Sequence, residues 1–246
     1  MAPSFPSLPL LAVLVILCAT MPALPSPCGA MLENVVVHDL LMLGRFHRWM
    51  SAHNRSYAGA REKLRRFEVY RSNMEYIDAA NAAGELGYEL GENEFTDLTH
   101  EEFMARYTGG IMKEAEYSYE AQQGQCRTNG DAIRRGKIYQ IGMMKSEERY
   151  LQEAVYKRGP TAVGIDSRDR NLQHFKSGIY KGPCGTALNH GVLVVGYGAR
   201  DGEKYWVVKN SWGQTFGENG FFLVSRGADG KAGLCGIAMR AVYALV

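Results

Sequence analysis

Residues 188–213 read LNHGVLVVGYGARDGEKYWVVKNSWG and decide the architecture of the second half of the chain. Two apolar runs, GVLVVGYG at 191–198 and KYWVVKNSW at 204–212, are rich in Val, Tyr and Trp, the residues that favour β-strands. Gly, Asn and Asp separate the runs and mark turns. This stretch therefore predicts two strands of a sheet.

Similar runs lie on either side of it. TAVGID at 161–166 and GFFLVS at 220–225 have the same composition, and a helix is predicted near Glu147 to Lys157. The part of the chain after Pro160 therefore predicts an antiparallel, β-rich lobe with barrel-like curvature.

The first part of the chain has a different character. Residues 38–110 favour helices, and a long helix is predicted from about Arg61 to Ala83. Its apolar residues recur at the spacing of one buried helix face; they are Phe67, Tyr70, Met74 and Ile77. Gly84 and Gly87 are expected to end this helix. The composition changes near Thr108 to Gly110, so the fold class is α+β.

The composition is that of an ordinary globular protein. Apolar residues make up 46% and charged residues 22% of 246 residues, and the formal net charge is +2. Nothing in this charge favours nucleic acid or a membrane surface as a partner. Leu10 to Ala19 is apolar but too short to span a bilayer. We interpret residues 1–26 as a secretory signal peptide, with small residues at Ala19, Ala23 and Ala30 as alternative cleavage points.

A mixed stripe of polar and apolar residues follows one face of the predicted long helix. At about 100° per residue its six members fall within an arc of about 100°; they are Glu62, Arg66, Tyr70, Asn73, Ile77 and Asn81. A simple core helix would be apolar there, so the stripe indicates a specific tertiary contact. It resembles the signature of papain-family prosegments, with Tyr70 where Phe is usual. A second element of those prosegments, G-x-N-x-F-x-D, is similar to Gly91, Asn93, Phe95 and Asp97.

The second half resembles the second lobe of the mature papain-like domain, in particular that of plant enzymes. The resemblance rests on several short segments; they are Gly182 to Gly185, Asn189 to Gly191, Lys209 to Gly213, Gly217 to Gly220 and Gly233 to Gly236. It implies an inhibitor-type prosegment at residues 31–109 and a β-rich peptidase lobe at 110–246.

The resemblance also implies a catalytic chemistry. Papain-like proteases hydrolyse peptide bonds with a thiolate–imidazolium pair and an amide that holds the imidazole ring. His190 fits the base, Asn210 the orienting amide and Trp212 the indole that shields them from water. No metal or cofactor is expected, and the expected substrates are peptides or proteins.

The nucleophile of this chemistry is missing from the sequence. In the family the cysteine precedes the histidine by about 130–150 residues, which here reaches residues 40–60, where there is no cysteine. Cys126 follows a Gln-Gly-Gln that copies the start of the family motif, but Asn129 then occupies the nucleophile position. Cys28 lies upstream of the prosegment motifs. We therefore predict a chain that lost most of its first lobe near Gly110, together with the nucleophile and the oxyanion Gln, and is catalytically inactive.

Two other interpretations of the chain remain open. The prosegment could bind and inhibit intact papain-like proteases, or the chain could be a non-functional splice or gene-model product. Because the prosegment and the β lobe are both expected to pack against the missing lobe, we expect both to expose apolar surface.

Further expectations concern individual residues. The resemblance places Gly164, Leu188, Asn189 and Arg240 at the main specificity pocket. It also implies a Cys184–Cys235 disulfide and leaves Cys126 unpaired. Asn54 heads an Asn-x-Ser sequon, a possible glycan site. The expected location is the secretory pathway, ending in a vacuole or lysosome or outside the cell.

Overall fold

The computed structural model describes residues 27–108, 140–227 and 230–245. The signal-peptide interpretation and the prediction for Cys126 concern residues outside this part of the chain. The chain divides into two compact units, residues 1–56 and residues 57–246. The described part of the first unit contains helix α1, Pro27–Ala52, in which the rings of Phe46 and Trp49 stack with centroids 5.9 Å apart. Within the described residues, no helix combines the length and apolarity that a membrane crossing needs.

The second unit opens with what we call the helical segment, residues 57–108. It contains helix α2 (Ala60–Ala83), strand β1 (Tyr88–Leu90) and helix α3 (His100–Tyr107). Helix α2 ends at Gly84, whose left-handed backbone (φ 69°) suits glycine and lets its N–H donate to the Asn81 carbonyl. Helix α3 begins with a capping box, in which Thr99 and Glu102 each bond the other's backbone N–H.

The rest of the second unit, residues 140–245, is the β lobe. Its strands are β2 (Gln140–Met143), β3 (Thr161–Ile165), β4 (Phe175–Tyr180), β5 (His190–Arg200), β6 (Glu203–Lys209), β7 (Phe221–Ser225) and β8 (Ala241–Leu245). Helices α4 (Glu148–Arg158) and α5 (Arg170–Gln173) and two short 3₁₀ helices (Gly230–Ala232, Leu234–Gly236) connect them.

Together with β1, these strands form one eight-stranded sheet in the order β1-β4-β7-β6-β5-β3-β8-β2. The pairs are antiparallel except β4 and β7, which run parallel. The predicted combination of a helical first part and a β-rich lobe is confirmed. The sequence did not indicate β1, a strand from the helical segment that pairs with β4 at one end of the sheet.

The core of the second unit corrects one expectation. Buried side chains of the helical segment and of the β lobe belong to the same hydrophobic cluster. From the helical segment these are Phe95, Leu98 and Phe103, and from the β lobe they include Leu172, Phe175, Trp206, Trp212 and Phe216. The expectation that this segment packs against a missing lobe is therefore wrong for residues 95–103. These aromatic rings are buried against the β lobe, so they do not contribute exposed apolar surface.

Candidate active site

The hairpin of β5 and β6 brings His190 and Asn210 together. His190 is the first residue of β5 and pairs with Ile165 of β3. Asn210 follows the last residue of β6, and Lys209 lies opposite Leu193 in the antiparallel register. Since antiparallel strands place the start of one beside the end of the next, residues 20 apart in sequence meet at one end of the hairpin.

One hydrogen bond joins the two side chains. His190 Nε2 lies 2.8 Å from Asn210 Oδ1, and the same oxygen accepts the Ser211 backbone N–H at 2.8 Å. A backbone N–H can only donate, so the atom shared by the two bonds is the acceptor oxygen of the amide, and Nε2 of the ring is the donor. This tautomer leaves His190 Nδ1 as the ring nitrogen that can accept a proton.

The indole of Trp212 covers this pair. Its ring lies 4.6 Å from the ring of His190 between centroids, with the planes inclined by 23°. Trp212 is buried, and its Nε1 donates to the Tyr107 carbonyl of helix α3 at 2.9 Å. Phe103 and Phe216 approach the indole edge-on, both at 4.9 Å. The shielding ring is thus fixed by the loop after β6 and by the helical segment.

Burial keeps the imidazole neutral. His190 is 5% exposed, and desolvation lowers its pKa to about 4, although the hydrogen bond to Asn210 acts in the opposite direction. Asn210 Nδ2 is also buried and has no acceptor within the described part of the chain. The site therefore offers an oriented, neutral base in a dry environment.

The expected pocket residues lie near the start of β5. The Gly164 N–H donates to the Arg240 carbonyl at 3.1 Å, and a Cβ added at Gly164 would lie 3.2 Å from Leu188 Cδ1. Asn189 is tied to the turn after β3, since its Oδ1 accepts the Ser167 N–H at 2.8 Å. Arg240 itself is exposed.

Sequence reasoning missed two neighbours of Leu188. A Cβ added at Gly236 would lie 2.8 Å from Leu188 Cδ2 and 3.0 Å from Met239 Sδ. The ends of both side chains thus lie close to Gly236, which places Met239 beside the candidate pocket. Gly236 could have been noticed from its place beside Cys235, whereas Met239 carries no sequence signal.

The stripe on helix α2 binds the loop that follows β1. Arg66 donates to the Asp97 carbonyl at 2.8 Å and to Glu102 at 2.7 Å, and its Nε donates to Glu62 at 2.9 Å. Asn73 donates to the carbonyls of Thr96 and Leu98 at 2.8 and 2.9 Å.

Other members of the stripe bind β1 and the residues just after it. Tyr70 donates its hydroxyl to Glu92 at 2.9 Å, and Asn81 exchanges two hydrogen bonds with the backbone of Leu90. Ile77 is buried. The stripe thus satisfies backbone groups of an irregular loop, which would be costly to leave unpaired.

The second prosegment element lies in that loop. The Gly91 N–H donates to the His174 carbonyl at 2.8 Å, and Asn93 Nδ2 donates to the Gln173 carbonyl at 2.8 Å. Phe95 is in the shared core, and Asp97 accepts the Tyr57 hydroxyl at 2.8 Å. Three of the four motif residues therefore connect the helical segment to the β lobe.

The remaining predicted positions are those of the disulfide and of the sequon. Cys184 and Cys235 are joined in a disulfide, with their Cα atoms 5.1 Å apart. Asn54 is exposed in the turn after α1 and has a left-handed backbone, with φ 50°. In the described ranges no three His, Cys, Asp or Glu side chains form a group that could hold a metal ion.

The sequence matches two protein families. Residues 96–245 match the papain family cysteine proteases, and residues 46–103 match the cathepsin propeptide inhibitor domain, I29. Because the first match covers more than half of the chain, this protein belongs to the papain family of cysteine proteases.

Known relatives agree with this assignment. Fruit bromelain of Ananas comosus is 28% identical over an alignment of 306 residues, which covers 82% of this chain and 86% of the bromelain. Vignain of Ricinus communis is 44% identical over 139 residues, 55% of this chain and 38% of vignain. Among solved structures, a recombinant stem bromelain precursor superposes with a TM-score of 0.75 at 28% identity, over 83% of this chain and 99% of the precursor. Digestive procathepsin L 3 of Tenebrio molitor gives 0.71 at 25% identity, over 84% and 99%.

Proposed function

We propose that this chain is a catalytically inactive member of the papain family. The observation that carries the proposal is that His190 and Asn210 form an oriented base, while no cysteine side chain that the structure describes offers it a free thiol. Among the cysteines whose side chains the structure describes, Cys184 and Cys235 are joined to each other. No cysteine anywhere in the sequence is followed by Trp or Tyr, as the family nucleophile would be.

The protonation state of His190 supports the proposal. A papain-like nucleophile is a thiolate stabilised by an imidazolium, whereas burial lowers the pKa of His190 to about 4. Without a thiol proton to accept, the neutral ring and Asn210 could at best activate water. Losing the nucleophile of a comparable triad costs about 10⁶-fold in turnover.

The alignment with fruit bromelain supports a lost segment. It extends over 306 residues, more than the 246 of this chain, so it passes over residues of the bromelain that have no counterpart here. We place the loss near Gly110, where the prosegment-like sequence ends. The segment would have carried the nucleophile and the oxyanion Gln.

A thiol-probe assay tests the inactivity. The full chain is expressed in an oxidising host, acid-treated, and assayed with a peptidyl fluorogenic substrate and a biotinylated epoxide, with fruit bromelain as positive control. We expect neither turnover nor labelling. Epoxide-sensitive turnover that is lost in both His190→Ala and Cys126→Ser variants would refute the proposal and assign the nucleophile to Cys126.

A second candidate function is inhibition of intact papain-like proteases. Its support is the match of residues 46–103 to a propeptide inhibitor domain, together with the packing of this segment on a lobe that itself matches the papain family. Inhibition of fruit bromelain by the full chain tests it. If neither the chain nor variants designed to expose the segment inhibit, this function is excluded.

We further propose that the chain enters the secretory pathway and carries a glycan at Asn54. The disulfide and the exposure of the sequon Asn54 and Ser56 support this, since disulfides persist in oxidising compartments. Treatment with an N-glycosidase should increase the mobility of the wild-type chain but not of Asn54→Gln. An unchanged wild type from a eukaryotic secretory host would contradict it.

The pocket assignment is also a proposal. Gly164, Leu188, Asn189 and Arg240 would form one wall of a peptide-binding pocket, and the exposed guanidinium of Arg240 would favour an acidic side chain through charge-assisted hydrogen bonds. Equal binding of matched peptides with an acidic and an apolar side chain would argue against this role of Arg240.

A further inference from the structure

The face of the helical segment that carries its aromatic residues is already occupied. Phe95, Phe103 and Tyr107 surround the indole of Trp212: Phe103 lies 4.9 Å and Phe95 6.4 Å from it between ring centroids, and the Tyr107 carbonyl accepts its N–H. Phe95 and Phe103 are fully buried. This contact covers the aromatic surface of the segment, which cannot bind another protein while the contact persists.

A carboxylate strengthens the contact beside Trp212. Glu94 Oε2 accepts the Thr215 hydroxyl at 2.7 Å. The loop approaches Glu94 closely, because a Cβ added at Gly213 (φ +100°) would lie 2.6 Å from Glu94 Oε1. A hydrogen bond to a charged acceptor is stronger than one between neutral groups.

An edge-strand pair extends the contact to the end of the sheet. Strand β1 pairs antiparallel with β4, and Lys176 of β4 forms an ion pair with Glu89 of β1 at 2.7 Å. Ser177 donates to the other oxygen of the same carboxylate at 3.2 Å. The helical segment thus binds the β lobe by backbone pairing, charge and aromatic packing.

The β lobe that covers the aromatic face of the helical segment indicates what kind of protein could bind there instead. The β lobe lies within the residues that match the papain family. An intact papain-family protease therefore presents a lobe related to the one on which the segment already sits. Two related lobes, one in the same chain and one in another protein, would compete for the same face.

We propose that this chain is a latent inhibitor whose own β lobe masks the protease-binding face of residues 57–108. The proposal rests on the second candidate function. A protease can bind only the fraction of molecules in which the segment has left the β lobe, so the apparent affinity falls by that fraction. Because the competing lobe is in the same chain, it binds this face in an intramolecular step, and its effective concentration there does not depend on the concentration of the protein.

The experiment weakens the masking contact from the β-lobe side only. The full chain is prepared as wild type and with Lys176→Glu and Thr215→Val combined, neither of which alters the segment. Inhibition constants are measured with fruit bromelain and a fluorogenic peptide. Backbone hydrogen exchange of β1 and α3 reports release of the segment. We expect faster exchange and an inhibition constant lowered by about tenfold in the double variant, in proportion to the released fraction.

Two matched variants serve as controls. Lys157→Glu removes a comparably exposed lysine from an ion pair with Glu153, away from the segment, and Thr215→Ser keeps the hydroxyl. Both should inhibit like wild type. If the double variant exchanges faster but inhibits no better than an inhibiting wild type, masking is refuted and the binding function stands. If the released segment does not inhibit at all, both are refuted. Unchanged exchange would contradict the role of these two contacts.

Discussion

The ring of Trp212 lies 4.6 Å from the ring of His190 and nearly parallel to it, while its Nε1 donates to Tyr107, the last residue of α3. One indole therefore connects the candidate base to the helical segment. Any change that releases α3 removes the hydrogen bond that helps to fix the indole over the imidazole. The geometry of the base and the docking of the helical segment are consequently coupled.

The first prediction concerns the shared core. Phe103 is fully buried and contacts the rings of Phe95, Tyr107 and Trp212 at centroid distances of 5.2, 5.5 and 4.9 Å. Phe103→Ala should lower the free energy of unfolding by about 3–5 kcal/mol, because it leaves a cavity between the segment and the β lobe. Urea denaturation of the full chain, followed by Trp fluorescence, measures it.

A control variant comes from the same segment. Leu64 on α2 is 60% exposed, and Leu64→Ala should change the free energy of unfolding by about 0.5 kcal/mol or less. Similar effects of the two variants would show that α3 is not part of the cooperatively folded unit.

The fold could be predicted where a pattern is local. The apolar repeat through Tyr70 and Ile77 predicted α2 almost to its observed ends, Ala60–Ala83, and the Val-rich runs predicted β5 and β6. Strand β1 was not predicted because its three residues, Tyr-Glu-Leu, have no distinctive periodicity. Its formation depends on pairing with β4, which is more than 80 residues away in sequence.

The candidate site shows the same limit. The stripe through Arg66 and Asn73 indicated a tertiary contact, but not that backbone carbonyls of residues 96–98 would accept its hydrogen bonds. Likewise, family resemblance singled out Trp212, whereas its contact with Tyr107 depends on how the segment docks. Contacts between distant segments require the fold, because no sequence spacing encodes them.

The second prediction compares two neighbouring arginines of α2. Arg66 is buried and bonds Glu62, Glu102 and the Asp97 carbonyl, whereas Arg65 makes ion pairs with the same two glutamates at the surface. Arg66→Met should destabilise the chain by about 3 kcal/mol, since it leaves the buried Asp97 carbonyl without a donor and removes a charged partner from the part-buried Glu102. Arg65→Met should cost about 0.2–1 kcal/mol, as surface ion pairs do.

The measurement is again urea unfolding, at low salt and at 0.5 M salt. Arg65→Met should lose most of its effect in high salt, while Arg66→Met keeps its effect because its bond to the Asp97 carbonyl is short-range and buried. An equal cost for the two variants would contradict the assignment of Arg66 as the residue that fixes the loop.

The third prediction concerns the disulfide. Cys184 and Cys235 are separated by 51 residues, and a cross-link that closes a loop of this size should stabilise the folded state by about 4 kcal/mol on the chain-entropy model. The Cys184→Ala, Cys235→Ala double variant should therefore have a free energy of unfolding lower by about this amount, measured by urea unfolding.

Non-reducing peptide mapping checks the pairing directly. A peptide that links Cys126 to Cys184 or Cys235 would overturn it, and Cys126→Ser should have no effect on the disulfide.

The last prediction is a loss of stability in acid that originates at His174. This ring is fully buried, and within the described chain neither of its nitrogens has a hydrogen-bond partner. Desolvation, with smaller contributions from the charges of Arg170 and His100, lowers its pKa from 6.5 to about 3. The unfolded chain binds a proton at this ring below about pH 6.5, whereas the folded chain resists it down to about pH 3. The free energy of unfolding should therefore be highest above pH 6.5 and fall by up to about 1.4 kcal/mol per pH unit as the pH drops.

His174→Phe isolates this effect. His190 titrates in the same direction, with a folded pKa of about 4, so the decisive quantity is the difference between wild type and variant at each pH. Phenylalanine keeps an aromatic side chain and removes two buried nitrogens that lack partners, but its larger ring can add strain, so the test is the pH dependence of the difference and not its value at pH 7.5. Below pH 6.5 the variant should gain stability relative to wild type, because only the wild type acquires a proton at residue 174 on unfolding. The backbone bond from Gly91 to the residue 174 carbonyl is unaffected by the substitution. A difference that stays constant from pH 7.5 to pH 4, measured by urea unfolding, would show that His174 is not the acid-sensitive group.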